Sequence, residues 1–147
     1  MNITEKEMRR RMDRFHKVFH QKGIKVTHQR MEIYREVARS TDHPDAEAIY
    51  RKVRERVPTI SLDTVYRTLW TLVDMGLIRI LGSSKERVRF DGNKDPHHHF
   101  ICTGCGMAAD FTEAKFDNLP VPKKVKSLGK VKSAHVELRG LCKKCKE

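Results

Sequence analysis

Four cysteines stand as two tight pairs in the C-terminal third of this sequence, and their spacing predicts a metal site. Each pair is a Cys-x-x-Cys knuckle, and two knuckles can offer four thiolates to one tetrahedral Zn²⁺ ion. Glycines around the first pair permit the tight backbone turns that a knuckle needs. The alternatives are a redox dithiol or merely unpaired thiols. The predicted structural zinc ligands are Cys102, Cys105, Cys142 and Cys145.

Histidines and aspartates form a second candidate site. Imidazole and carboxylate ligands together suit Fe²⁺, Mn²⁺ or Zn²⁺ and are harder than thiolates. If a strand begins here, alternation places His97 and His99 on one face and His98 on the other. Adjacent histidines are also typical of a surface loop, so spacing alone leaves both interpretations open. The further candidate ligands are His43, Asp91 and Asp110.

The net charge of the chain is high for its length. It is +12 over 147 residues, with 31 Lys and Arg against 19 Asp and Glu, and it suits a polyanion such as DNA. No apolar run approaches the ~20 residues that a membrane-spanning helix needs, and the first residues do not resemble a signal sequence. We therefore expect a cytoplasmic protein without a membrane partner, where thiols bind metal rather than form disulfides.

Four amphipathic helices are predicted in the first half of the chain, because apolar residues recur there three and four positions apart. Capping residues and breakers mark their ends. The predicted helices run from Glu5 to Gln21 with an end near Gly23, from the N-cap Thr27 to a break at Ser40, from the N-cap Asp45 to Pro58, and from the N-cap Ser61 to Gly76.

The fourth helix and the segment after it predict a DNA-binding lobe. Residues 77–81 and 87–90 have strand character around a Gly-Ser-Ser turn and indicate a hairpin. Helices followed by a basic hairpin are the pattern of a winged helix-turn-helix, whose last helix reads the major groove. Its apolar face leaves four side chains to point outward. These are Thr64, Tyr66, Arg67 and Thr68.

Arg67 is the best candidate for contact with a base, since arginine suits guanine in the major groove. Basic residues elsewhere on this lobe are candidates for phosphate contacts, which position the protein without specifying sequence. Each of them could equally be solvated surface. The predicted DNA-binding residues are Lys25, His28, Arg30, Ser61, Thr64, Tyr66 and Arg67, with Lys85, Arg87 and Arg89 in the wing.

A polar linker divides the chain. We expect a winged-helix domain in residues 1–91, a hinge in 92–96, and a metal-binding domain in 97–147. The last of these contains short strands at 99–102, 107–111 and 133–139 and a helical turn at 112–118, with little apolar material for a core. The predicted fold class is α+β.

Several motifs, in order from about Gly23 to Cys145, resemble the ferric uptake regulator (Fur) family. They are GIKVTHQR at 23–30, HP at 43–44 followed by AEAIY, SLDTVYRTL at 61–69, HHHFICTGC at 97–105, and the last cysteine pair. The resemblance implies a winged-helix domain, a hinge and a small α/β dimerisation domain, hence a homodimer on a double-stranded operator. It also implies structural Zn²⁺ on the four cysteines and regulatory Fe²⁺ or Mn²⁺ on His43, Asp91, His97, His99 and Asp110. The regulatory metal would act as corepressor by favouring the DNA-competent state.

An aspartate at position 110 resembles the peroxide-sensing (PerR-like) branch of the family. In that branch bound Fe²⁺ reacts with hydrogen peroxide and a ligand histidine is oxidised, with His43 and His97 at the matching positions. This is damage rather than turnover, so we do not expect an enzyme. His98 stands where an aspartate of another metal site often lies, and His135 is one residue out of place for that site. The sequence alone leaves open whether a third site exists.

Three other functions remain alternatives. An iron- or zinc-responsive repressor without peroxide chemistry is one, and Arg67 after Tyr66 is typical of many iron regulators. A zinc hydrolase is disfavoured because no carboxylate accompanies a histidine pair as in His-Glu-x-x-His. A zinc-ribbon scaffold that binds other proteins would not show salt-sensitive DNA binding.

Overall fold

Two units make up the chain in this computed structural model, which describes residues 3–81 and 88–146. The first unit is Met1–Lys94 and the second is Asp95–Glu147. No helix in the described residues is long and apolar enough to cross a membrane. The wing loop, with the proposed phosphate contacts Lys85 and Arg87, lies outside the described residues.

The described part of the first unit contains four helices whose ends follow local capping chemistry. The side chains of Thr27, Asp45 and Ser61 each accept a hydrogen bond from the amide three residues ahead, which satisfies a donor that the first turn leaves unpaired. Gly23 ends the first helix with a φ of 67°, a left-handed conformation that glycine adopts without strain. The helices are α1 Glu5–Lys22, α2 His28–Arg39, α3 Ala46–Arg56 and α4 Leu62–Asp74.

Aromatic stacking joins α1 to α2 in the core of this unit. The ring of Phe15 lies 4.3 Å from that of Phe19 and 4.9 Å from that of Tyr34, between centroids. The buried Tyr34 hydroxyl donates to the carbonyl of Arg11, so its polar end is satisfied. The remaining helices pack their apolar stripes into the same core. The core therefore holds α4 with one face inside and the other in solvent.

A hairpin completes the first unit. Strands β1 Arg79–Leu81 and β2 Arg89–Asp91 pair antiparallel, with Arg79 opposite Asp91. Helices followed by this hairpin confirm the predicted winged helix-turn-helix and, with the sheet of the second unit, the α+β class. One expectation for α4 is wrong, because Thr68 is buried. It lies three residues after Val65 and four before Leu72, so the helical period places it on the inner face.

The second unit contains three strands and two short helical turns, which are β3 His98–Cys102, β4 Ala108–Phe111, α5 Ala114–Asp117, α6 Lys123–Lys126 and β5 Glu137–Gly140. The strands form one sheet in the order β4-β3-β5. The central strand β3 pairs antiparallel with β4 and parallel with β5. β5 is shorter than the strand expected at 133–139, and the second helical turn, α6, was not predicted.

Candidate metal centres and reading helix

The four cysteines converge because β5 runs parallel to β3. Cys102 is the last residue of β3 and lies opposite Gly140, so the knuckle that follows β5 folds against the knuckle that follows β3. The four sulfur atoms lie within 4.8 Å of one another. Cys105 Sγ and Cys142 Sγ are 3.9 Å apart, and a tetrahedral ion with Zn–S bonds of ~2.3 Å separates its sulfurs by about 3.8 Å. The residues therefore fit a closed tetrahedral site.

Hydrogen bonding divides these thiols by acidity. The amides of Cys105 and Cys142 donate to Cys102 Sγ at 3.5 and 3.3 Å, and they lower the pKa of Cys102 to about 6. Hydrogen bonding to the sulfurs of Cys142, Cys102 and Cys105 raises the pKa of Cys145 to about 12. The first thiolate forms readily, whereas the last requires a cation to offset the charge that its neighbours accumulate.

In the first unit, His43 and Asp91 form a buried imidazole–carboxylate pair. Their Nε2 and Oδ2 atoms are 3.8 Å apart, because the amide of Phe90 in β2 donates to the carbonyl of Pro44 and holds the strand beside this turn. Asp91 Oδ1 accepts from the amide of Asn93 at 2.9 Å, which fixes the carboxylate. Among the described residues, His43 alone of the non-glycines has a positive φ, 51°. Such conformations cost ~1–3 kcal/mol and concentrate at functional sites.

In the second unit, strand pairing places Asp110 directly opposite His99. His99 Nε2 and Asp110 Oδ1 are 3.3 Å apart. The ring of His97 lies edge-on to that of His99 with centroids 4.7 Å apart, on the common face that alternation predicts. His97 Nδ1 donates to the carbonyl of Asp95 at 2.6 Å, so the Nε2 lone pair is the one that can bind a metal.

His98 points to the opposite side of β3, where both of its ring nitrogens form hydrogen bonds. Its Nδ1 accepts from the amide of Val136 at 3.1 Å, so its Nε2 carries the proton and donates to Asp117 Oδ1 at 2.8 Å. The ring packs against Phe111 and Phe116, with centroids 5.6 and 5.5 Å away. With both nitrogens committed, this tautomer offers no lone pair to a metal.

The residues expected to touch DNA fall into two groups. Lys25, His28, Tyr66 and Arg67 are exposed and available to a partner. The others serve the local fold: Arg30 Nη1 donates to the carbonyl of Lys25 at 2.6 Å, and the Ser61 hydroxyl caps α4 while donating to Thr64 Oγ1 at 2.9 Å. Ser61 and Thr64 thus fix the start of α4.

The sequence reasoning did not single out Trp70, although the structure exposes 43% of it on the outer side of α4. It lies three residues after Arg67 and four after Tyr66, so the helical period that assigns those residues outward also assigns Trp70 outward. Its ring meets Phe90 of β2 edge-on at 6.1 Å. A count from Tyr66 along the helix would have found it.

Comparison with known proteins gives a consistent result. The model of the ferric uptake regulator family matches residues 21–139. The peroxide-responsive repressor PerR of Staphylococcus epidermidis is 34% identical over 125 residues, which cover 85% of this chain and 83% of that protein.

Two solved structures share the fold. The Helicobacter pylori ferric uptake regulator, described as having three functional metal-binding sites, superposes with a TM-score of 0.76 at 26% identity, over 95% of this chain and 94% of that one. The Campylobacter jejuni peroxide stress regulator gives a TM-score of 0.65 at 28% identity, over 80% of this chain and 88% of that one.

Proposed function

Because this chain belongs to the ferric uptake regulator family, we propose that it is a metal-dependent transcriptional repressor that senses peroxide. The observation that carries the proposal is a matched pair of half-sites, His43 with Asp91 in the first unit and His99 with Asp110 in the second. The named relatives include peroxide-responsive repressors, and the ligand chemistry below agrees with them.

The cysteine site holds structural zinc. Its four sulfurs lie within 4.8 Å of one another, and two of them have the 3.9 Å separation that suits a tetrahedral ion. Among the residues that the structure describes, the second unit has few buried apolar side chains of its own. In a small lobe of this kind, metal binding contributes directly to the free energy of folding. The zinc therefore stabilises the sheet on which the histidines stand.

The imidazole–carboxylate pairs hold the regulatory Fe²⁺ or Mn²⁺. Two ligand atoms bound at ~2.1 Å and ~90–110° apart are about 3.0–3.4 Å from each other. The His99–Asp110 pair lies in this range at 3.3 Å, whereas the His43–Asp91 pair, at 3.8 Å, must close by about 0.4 Å to bind the same ion. His97 adds a fifth ligand through Nε2. One pair supplies too few ligands for either metal, so the ion is bound fully only when both units contribute to it.

This division of ligands is what couples metal to DNA. The α4 helix belongs to the unit that supplies His43 and Asp91, so an ion shared with His99 and Asp110 favours one arrangement of the reading helices. By linkage, the metal then raises the affinity for DNA, and DNA raises the affinity for metal by the same factor. Coupling of this kind is typically ~1–3 kcal/mol, or about 5- to 150-fold.

The peroxide response requires a ligand that can be oxidised. Bound Fe²⁺ would reduce hydrogen peroxide and supply the oxidant that adds oxygen to an adjacent imidazole. His43 and His97 are the candidates, and oxidation of either weakens its donor nitrogen and loosens the unit that carries it. Release of DNA follows from the same linkage. Mn²⁺ on the same residues supports repression without this chemistry.

The second unit provides the surface for a homodimer. Large apolar side chains that a solitary unit would leave in water are exposed there, with Leu128 at 85% and Leu141 at 51%. Exposed apolar surface of this kind is typical of interfaces between subunits. A dimer also presents two reading helices to two half-sites of a palindromic operator.

We expect two metal ions per chain rather than three. The Helicobacter pylori regulator is described as having three functional sites. Here His98 binds Val136 and Asp117 through its two nitrogens, so a hydrogen-bonded imidazole stands where a further ligand would be needed. Zinc and manganese titration followed by elemental analysis measures the number directly.

The experiment starts from zinc-loaded protein and a duplex selected from random sequence in the presence of Mn²⁺. Fluorescence anisotropy measures its affinity with Mn²⁺ or Fe²⁺, with and without peroxide. The variants His43→Ala and Asp110→Ala, one from each unit, are compared with His20→Ala and Asp13→Ala, which change exposed residues of the same types in α1.

We expect Mn²⁺ and Fe²⁺ to raise the affinity in wild type and both controls, and to do so little in either ligand variant. Peroxide should abolish binding only with Fe²⁺. Equal resistance to peroxide with both metals would support the alternative, a regulator that responds to metal level alone. Undiminished metal response in Asp110→Ala would overturn the division of ligands between the units.

A further inference from the structure

The outer stripe of α4 is short of positive charge. Its exposed residues recur at helical spacing and include one cation and two carboxylates: Asp63, Tyr66, Arg67, Trp70 and Asp74. The protein as a whole has a net charge of +12. A helix that enters a groove lined by phosphates normally gains nothing from carboxylates. The presence of Asp63 beside the single arginine therefore requires an explanation.

Asp63 and Arg67 are bonded to each other. Arg67 Nε donates to Asp63 Oδ2 at 2.8 Å, and Arg67 Nη2 donates to the same oxygen. The Arg67 side chain is 78% exposed and the Asp63 side chain is 67% exposed. Ion pairs this exposed contribute little to stability, because water screens them and two flexible side chains must be ordered. A favourable interaction of Asp63 with the N-terminal end of the helix dipole accounts for the carboxylate. This helix-dipole interaction does not explain why the Arg67 guanidinium is bonded to Asp63.

We propose that Asp63 is a positioning residue that presents Arg67 to a guanine base. A guanidinium has five N–H donors in a rigid fork, and Asp63 takes the edge formed by Nε and one hydrogen of Nη2. The remaining end-on edge, with hydrogens on Nη1 and Nη2, matches the O6 and N7 acceptors of guanine.

This inference rests on the proposed function, since it concerns how α4 reads DNA. Holding the guanidinium in advance removes part of the entropy that a flexible side chain loses on binding. Replacement of Asp63 by alanine should therefore lower discrimination at the contacted guanine by about twofold, the fold-change that an exposed i,i+4 ion pair is worth. Affinity for random duplex should rise or stay level, because a charge that repels phosphates has been removed. A loss of specificity without any loss of general affinity is the signature.

The test uses the manganese-loaded protein, its selected operator, and operators with each guanine replaced in turn. Asp63→Ala and Asp63→Asn are compared with Asp74→Ala, which removes the same charge from the other end of the stripe. The double variant Asp63→Ala/Arg67→Ala shows whether Asp63 acts through Arg67. Thermal unfolding of each variant accompanies the binding measurements.

We expect Asp63→Ala to lose discrimination at one guanine position. Asp63→Asn should retain part of it, since its amide oxygen still accepts from Arg67. Asp74→Ala should lose none. In the Arg67→Ala background, removal of Asp63 should change discrimination no further. A role confined to helix stability would lower the unfolding temperature of Asp63→Ala and leave its base discrimination intact, which overturns the proposal.

Two further results distinguish a failure of the role proposed for Asp63 from a failure of DNA reading by α4. If Asp63→Ala and Asp74→Ala raise affinity for all sequences alike while Arg67→Ala loses discrimination, the carboxylate is only a charge. Asp63 then has no positioning role, although α4 still reads DNA. If Arg67→Ala also discriminates like wild type, both the role of Asp63 and the assignment of Arg67 fall.

Discussion

A methyl group at Gly104 tests the zinc site without touching a ligand. A Cβ atom there would lie 3.0 Å from Cys145 Sγ and 3.1 Å from Cys145 Cβ. Ordinary van der Waals contacts of a Cβ begin at 3.4 Å, so in Gly104→Ala the Cys145 side chain must withdraw by a few tenths of an ångström. Metal sites tolerate departures of only ~0.2 Å from ideal bond lengths. The fourth thiolate would therefore be badly placed.

The size of the effect follows from that displacement. Disturbance of the groups that orient metal ligands costs ~10- to 100-fold in affinity. Because a shift of a few tenths of an ångström only slightly exceeds that tolerance, we expect the lower end, about tenfold, or ~1.4 kcal/mol. The matched control is Gly129→Ala in the same unit, where a Cβ would have nothing within 4 Å.

The assay is competition for zinc against a chromophoric chelator, in reducing buffer without oxygen. Gly104→Ala should release zinc at a much lower chelator concentration than Gly129→Ala or wild type. Equal zinc affinities for the two variants would refute the reasoning, because they would mean that the knuckles do not close around an ion in the way the sulfur positions indicate.

Three further predictions address the zinc lobe, the reading helix and acid stability. Cys142→Ser should lose zinc and either unfold or monomerise the second unit, and a stable zinc-loaded dimer in sedimentation would contradict this. Arg67→Ala should weaken operator binding by ~1–3 kcal/mol and relax base preference, whereas Lys25→Ala should weaken binding to all duplexes about equally. Equal losses of affinity for operator and random DNA in both variants would count against α4 as the helix that reads bases. A hydrogen bond from Arg10 lowers the pKa of Glu7 to about 2 from 4.5. The contribution of ionised Glu7 to the free energy of unfolding is therefore present above pH ~4.5 and lost as the pH falls towards 2. Denaturant unfolding should show wild type more stable than Glu7→Gln at neutral pH, with the difference shrinking over that window, and a constant difference would contradict it.

Local chemistry explains why the helices could be predicted from the sequence. The caps Thr27, Asp45 and Ser61 act within four residues of themselves, so the information that starts each helix lies beside it. Thr68 was misplaced although the same period was available, because its hydroxyl suggested solvent while its position between Val65 and Leu72 required burial. Residue type misled where spacing would have been sufficient.

Long-range pairing explains what the sequence could not supply. That Asp110 stands opposite His99 depends on the register of β4 against β3, and no local signal fixes a register. The engagement of His98 with Asp117 likewise depends on where α5 packs. Alternation along the strand already placed His99 and His98 on opposite faces, but only the packing of β4 and α5 shows that His99 faces a carboxylate and that His98 is already hydrogen-bonded.

Mass spectrometry of the iron-loaded protein after peroxide tests the central proposal most directly. Tryptic cleavage after Arg39 and Arg51 isolates His43 as the only histidine of its peptide, and fragmentation of peptide 95–115 locates oxygen on His97. We predict one added oxygen on His43 or His97 with Fe²⁺, none on either with Mn²⁺, and zinc retained in both samples. Release of zinc with oxidation of Cys102 and unchanged histidines would contradict the account and indicate a thiol-based sensor.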